Sequence, residues 1–165
     1  MNLKVRIENE ADIDAIDRIT TAAFLNAPHT DHSEQYIVRK LRNSGALYIS
    51  LVAEYQGEVV GHVAISPVSI SDGSEGWFGL GPISVSPSIQ RSGVGSKLMQ
   101  SVLEALKSSG ASGCVLLGDP AFYSRFGFRP ESCLVLADVP PEYFQAIAFS
   151  GVLANGIVSY HEAFE

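Results

Sequence analysis

One seven-residue stretch constrains the fold of this chain more than any other: Gln90-Arg91-Ser92-Gly93-Val94-Gly95-Ser96. Ahead of it lie an apolar, strand-like run, Trp77–Val85, and a polar turn, Ser86-Pro87-Ser88-Ile89. After it, Val94, Leu98, Val102 and Leu106 recur in steps of four, while Lys97, Gln100, Ser101, Glu104 and Lys107 share the opposite side. That is the pattern of an amphipathic helix, and Ser108-Ser109-Gly110 ends it. Residues 114–117 form a short apolar run, a buried strand. Strand, helix and strand in this order make one crossover over residues 78–117. It is predicted to be right-handed, with two parallel strands covered on both faces.

The other elements read as a mixed fold. Leu3, Val5 and Ile7 alternate with Lys4 and Arg6, a half-buried strand. Asn9 followed by Asp12 predicts a helix start, and Ile13, Ile16, Ile19 and Ala23 then fall on one face. Residues 24–31 read as a loop, and Ser33 is predicted to cap a second helix carrying Ile37 and Leu41, closed by Gly45. Residues 47–54 and 59–70 predict a hairpin around Gln56-Gly57. Gly79, Gly81 and Pro82 predict a distorted or bulged strand within Trp77–Val85. Asp119-Pro120 predicts a short helix through Phe126, stopped by Gly127. Strands are expected at 134–137 and 156–161, with a loop and a helical turn around Tyr143 between them. The order β-α-α-β-β-β-α-β-α-β-β predicts an α/β fold with a mostly antiparallel sheet, as a single domain over residues 1–165.

Composition narrows the function. The 165 residues, 46% hydrophobic and 18% charged, suffice for a core without staples. The net charge of −7 argues against nucleic acid or an anionic membrane as partner; it suits a cationic substrate such as an amine. Cys114 and Cys133 read as free thiols. The N-terminal sequence lacks an apolar signal segment, and no apolar run approaches the about 18 residues of a membrane span. The expected location is the cytoplasm. Oligomeric state, a homodimer included, is open at this point.

The stretch 90–96 carries the chemistry. First-turn amides of a helix lack intrahelical acceptors and sit at the positive end of its dipole. Glycines there let a ligand approach the backbone, so the turn can cradle a phosphate. It also fits a tight turn with no ligand. A nucleotide P-loop needs Gly-x-x-x-x-Gly-Lys-Ser/Thr, which is absent. The dinucleotide fingerprint needs a third glycine where Leu98 stands.

Gln90-x-x-Gly93-x-Gly95, preceded by Ile83-Ser84-Val85, resembles the acyl-CoA-binding motif of the GNAT superfamily of N-acetyltransferases. A second segment, Tyr123-Ser124-Arg125-Phe126-Gly127-Phe128, resembles the family's Tyr-x-x-x-Gly-Phe. The string Leu117-Gly118-Asp119-Pro120-Ala121-Phe122-Tyr123 and the late Tyr160-His161-x-Ala163-Phe164 are similar to one branch of predicted small-molecule acetyltransferases. The resemblance implies the GNAT fold over nearly the whole chain, with acetyl-CoA as cosubstrate lying where the two crossover strands splay. It implies that the main chain of Ile83, Ser84 and Val85 pairs with the pantetheine arm. It implies that the amides of Gln90, Arg91, Ser92, Gly93, Val94, Gly95 and Ser96 hold the pyrophosphate, with Arg91 and then Arg125 near the outer phosphates. Val85 is the candidate for the oxyanion-binding amide, and Tyr123 for the general acid that protonates the departing thiolate. The bland alternative for Tyr123 is an aromatic packed beside Phe122 and Phe126.

No base is assigned. Trp77–Val85 holds no carboxylate; Glu75, His62 and Asp119 are candidates, with His62 also readable as a structural histidine and Asp119 as a helix cap. His29-Thr30-Asp31-His32 lacks further metal ligands at a suitable spacing and reads as polar surface or an acceptor-recognition loop. Tyr143, Phe144 and the last strand could form the wall opposite it. The expected activity is acetyl transfer to a primary amine of a small molecule. A non-catalytic acyl-CoA-binding sensor or partner module is the alternative, and transfer to a protein amine is a third.

Overall fold

A computed structural model of the chain describes residues 2–28 and 30–165. In chain order the elements are β1 (Leu3–Ile7), α1 (Ile13–Phe24), α2 (Glu34–Asn43), β2 (Ile49–Tyr55), β3 (Glu58–Pro67), β4 (Ser69–Ile70) and β5 (Trp77–Val85). They continue with α3 (Val94–Ser108), β6 (Gly113–Leu117), α4 (Pro120–Tyr123), β7 (Arg129–Pro130), β8 (Leu134–Val135), β9 (Phe144–Ala148) and β10 (Gly156–Ser159). Seven strands form the main sheet in the order β1-β2-β3-β5-β6-β9-β7. Every neighbouring pair is antiparallel except β5 and β6.

Alternation along β3 assigns its faces. A Cβ on Gly61 would touch Val94 and Leu98, so this face meets α3. There Val63 and Ile65 pack with Leu98, Met99, Val102 and Leu106, all fully buried. The other face packs Val52 against Ile16 of α1 and Val38 of α2. Burial of each such side chain stabilises by about 1.5–3 kcal/mol, so the stripe on α3 is a main reason the helix sits where it does.

The entry to α1 follows from local chemistry. Asn9 Oδ1 accepts from Ala11 N–H at 2.9 Å, and Asp12 returns the favour to Asn9 N–H at 2.8 Å. Arg6 grips the Asp12 carboxylate with two bonds of 2.7 and 3.0 Å, which holds that carboxyl below its ordinary range. Ser33, by contrast, stands at the N-cap of α2 without capping it. Its hydroxyl donates to Asp31 instead, at 2.5 Å.

Three expectations need correction. β9 was not anticipated, because Phe-Gln-Ala-Ile-Ala is buried over its first three residues and shows no alternation. It, not a later strand, pairs with β6. The strands expected at 134–137 and 156–161 are shorter. They lie outside the main sheet, in a small one ordered β4-β10-β8. The run 59–70 is divided into β3 and β4, because β4 leaves to join that small sheet.

The feature that positions the site is where β5 and β6 part. They pair only at Trp77–Gly113, Phe78–Cys114 and Gly79–Val115. Beyond this β5 follows β3, and Leu116 and Leu117 of β6 follow β9. The Tyr160 ring lies against Gly79, where a Cβ would come within 2.9 Å of its Cε2, so the ring sits where the strands part. The expected distortion of β5 is present: the register with β3 shifts between Val63 and Ile65, and Gly81 has φ of +144°, a conformation open to glycine.

Candidate functional site

The open edge of β5 forms one side of the site. Ser86 N–H donates to Val60 O at 2.8 Å. By the alternation of an antiparallel ladder, Val85 and Ile83 turn their own N–H and C=O groups away from β3, toward the gap that β6 has left. Ser84 is the exception among the predicted strand residues. Its main chain faces β3, and its buried hydroxyl has no partner among the described residues.

The glycine turn forms the second side. Gly93 precedes α3 with φ of +92°, and Arg91 is also left-handed at +66°. The first bond of the helix runs from Lys97 N–H to Gly93 O, so the amides of Val94, Gly95 and Ser96 precede the helical ladder. Gln90 Nε2 ties the turn back to the strand, donating to Val85 O at 3.2 Å. Ser92 is exposed and its hydroxyl bonds Ile89 O. The Val94 side chain is buried in the core, so only its amide is available to the turn.

The segment after β6 forms the third side. Asp119 Oδ1 accepts from Ala121 N–H at 2.9 Å and starts α4, which presents Phe122 and Tyr123. The two rings meet edge to face at 4.9 Å, and the Arg125 guanidinium lies 5.1 Å from the centre of Phe122. Burial, with the Asp119 charge adding to it, pushes the Tyr123 phenol up to about 12, so it keeps its proton at neutral pH.

These three sides enclose a cavity of about 580 Å³. Of the predicted residues, Ile83, Val85, Gln90, Arg91, Gly93, Gly95, Ser96, Tyr123 and Arg125 line it; Ser84, Ser92 and Val94 do not. Ala23 and Phe24 at the end of α1 close it and were not anticipated. Phe24 also lines a second cavity, of about 390 Å³, with Glu34, Leu80, Pro82, Tyr160 and Phe164. The two cavities adjoin at this ring. The expected wall at Tyr143 and Phe144 is not there: Tyr143 is exposed and Phe144 is buried in the core beside the small sheet. Residues that follow the last strand take that place. Sequence patterning offered no signal for Phe24 or Glu34, because each acquires its role from the packing of distant elements.

None of the base candidates lines either cavity. Asp119 is a cap. Glu75 lies ahead of the far end of β5. His62 is a buried structural residue. Its Nε2 lies 2.7 Å from Ser50 Oγ, and Ser50 donates to Glu8, itself held by Arg42 at 2.8 and 3.1 Å. Burial pushes His62 down from 6.5 to about 4, against the pull of the Glu8 charge. The unfolded chain therefore takes up a proton near pH 6.5 that the folded chain refuses until about 4. The stability His62 contributes is complete above that window and falls by about 3 kcal/mol as pH drops through it. Urea unfolding at pH 7.5 and 4.5 measures this. His62→Gln is expected to flatten the slope, and an unchanged slope would assign it to other groups.

His29 lies outside the described residues, and among the described residues no cluster of three His, Cys, Asp or Glu suited to a metal is present. Cys114 and Cys133 are free. No described helix is long and apolar enough to cross a membrane.

Known proteins share this arrangement. Residues 13–128 match the acetyltransferase (GNAT) family. The N-acetyltransferase YhbS of Escherichia coli K12 is 33% identical, with 97% of each chain covered. A GNAT family acetyltransferase from Brucella melitensis, solved in complex with acetyl-CoA, superposes with a TM-score of 0.89 at 43% identity, covering 99% of each chain. YhbS from Escherichia coli in complex with CoA gives 0.89 at 32% identity, covering 99% of this chain and 92% of its own. A crossover splayed beside a glycine turn and family-wide similarity over most of the sequence lead to one assignment: this chain belongs to the GNAT family of acetyltransferases.

Proposed function

We propose that the protein transfers the acetyl group of acetyl-CoA to a primary amine of a small molecule, with Tyr123 as general acid. The observation that carries this reading is the position of Tyr123. Its protonated phenol lines the cavity bounded by the glycine turn and the open edge of β5, next to a second cavity large enough for a small acceptor. The solved relatives that hold acetyl-CoA and CoA support the choice of cosubstrate.

In this reading Ile83 and Val85 offer main-chain groups to the pantetheine arm, as an added strand would. The amides of residues 93–96 and the Arg91 guanidinium hold the phosphates. The acceptor ammonium loses a proton to water, and its nitrogen attacks the thioester carbon. The Val85 N–H stabilises the oxygen as charge develops on it. The C–S bond breaks as the C–N bond is completed. Tyr123 gives its proton to the departing sulfur and regains one from solvent, while the new amide nitrogen sheds its second proton to water.

The test is thermal unfolding with and without acetyl-CoA, followed by thiol release against a panel of amines. A ligand that binds only the folded chain raises its melting temperature. A rise together with amine-dependent thiol release is the expected result. A rise with no release on any amine would favour the acyl-CoA-binding module. No rise at millimolar acetyl-CoA would overturn the assignment of residues 90–96.

A further inference from the structure

The second cavity is mostly apolar; besides Glu34, the polar side chain on its lining is Tyr160, whose buried hydroxyl has no hydrogen-bond partner among the described residues. Phe24, Ile37, Leu80, Pro82, Leu117 and Phe164 supply its apolar wall, and Glu34 supplies its single carboxylate among the described residues. Glu34 is half-buried at the start of α2. Thr30 Oγ1 donates to both of its oxygens, at 2.7 and 2.6 Å, and itself accepts from His32 N–H at 2.9 Å. One proton shared between two oxygens leaves most of the carboxylate's acceptor capacity free. The other inward carboxylates differ: Asp12 holds Arg6 and Glu8 holds Arg42, whereas no ion pair engages Glu34 among the described residues. An oriented anion beside an apolar cavity attracts a cation and repels a second anion. The apolar wall disfavours polar groups that would lose water without gaining partners.

We propose that Glu34 binds the ammonium group of the acceptor, and that the acceptor is an amine on an apolar body with no neighbouring carboxylate. This rests on the transferase reading for its catalytic consequence, but the recognition itself is a matter of binding. Thr30 acts as a positioning residue that holds the carboxylate toward the cavity. The alternative is a purely structural pair closing the loop ahead of α2.

The probes are 2-phenylethylamine and L-phenylalanine, which differ by a carboxylate beside the amine. Both are measured for thiol release with acetyl-CoA and for binding to CoA-loaded protein by calorimetry. Wild type is expected to prefer 2-phenylethylamine. Glu34→Gln, whose side-chain oxygen can still accept from Thr30, should raise the KM or Kd of 2-phenylethylamine by about 10-fold or more. It should also narrow the preference over L-phenylalanine and leave the KM of acetyl-CoA unchanged. Thr30→Val should shift the amine constants in the same direction by less. An unaltered acetyl-CoA constant and melting temperature show that each variant is folded. Turnover of 2-phenylethylamine with constants and preference unchanged in Glu34→Gln would overturn this proposal and leave the transferase standing. Binding that depends on Glu34, with no thiol release on 2-phenylethylamine or any other amine of the panel, would support the recognition and overturn the transferase reading. Failure of wild type to bind or acetylate 2-phenylethylamine would overturn the proposal outright.

Discussion

Tyr123→Phe is expected to lower turnover by about 100- to 10,000-fold while acetyl-CoA binding stays unchanged. The change removes one hydroxyl and keeps the ring. The ring is what packs: it meets Phe122 edge to face at 4.9 Å and Phe128 at 6.5 Å. Stability and the shape of the cavity should therefore persist. On the proposed mechanism, the departing thiolate loses its proton donor. With the phenol pushed up to about 12 by burial, the wild-type donor is protonated across the neutral range, so the loss should be visible from pH 6 to 9. Calorimetry with acetyl-CoA and steady-state thiol release separate the two quantities. Turnover within a few-fold of wild type would make Tyr123 a packing residue.

Gly118→Ala should act on the same group from behind, with a fall in kcat of about 100-fold. A Cβ at Gly118 would collide with Tyr123 Cε2 and lie 2.9 Å from Cδ2, so the ring has to move. The backbone has little room to retreat. Gly118 N–H donates to Tyr143 O at 2.9 Å, and its carbonyl accepts from Gln145 Nε2 at 3.0 Å. Displacement of a reacting group by about 1 Å costs on the order of 100-fold in rate, and the crowding costs about 1–3 kcal/mol of stability. Steady-state kinetics and chemical unfolding measure both. Phe122, against which the Tyr123 ring packs, also lies beside Gly95 of the glycine turn, so the acetyl-CoA constant is expected to move, but by less than kcat. An unaffected kcat would mean that the ring has freedom the packing denies, or that its placement is not what limits the rate.

Much of the framework was legible in the residues because it is local. Asn9 and Asp12 cap each other across three positions, and Gln56-Gly57 turns the hairpin with both residues at positive φ. The spacing of Val94, Leu98, Val102 and Leu106 names the buried face of α3. Gly79, Gly81 and Pro82 announce an irregular β5, and the structure shows that irregularity beside the splay. Of the residues that line the first cavity, the glycine turn was legible from local chemistry, while Ile83, Val85, Tyr123 and Arg125 were indicated by the resemblance of their segments to family motifs.

What could not be read depends on partners far away in the chain. Ser33 has the right identity for a cap, yet Asp31 captures its hydroxyl. Ser84 has the right position on the strand, yet the hydrogen-bond phase that the β3 register imposes turns its main chain from the gap. β9 carries no period because neither face is free to be polar. Phe24 lines both cavities only because α1 ends beside β5, and Tyr160 packs on Gly79 of a strand encoded some eighty residues earlier. By itself the sequence determined the local elements and the glycine turn, since dihedral preference, capping and periodicity act within a few residues; Tyr123 was marked out by the resemblance of its segment to a family motif. The tertiary structure alone decided how wide the strands open, which side chains wall the second cavity, and that Glu34 is among them. Those are contacts between segments whose separation in sequence no local pattern encodes.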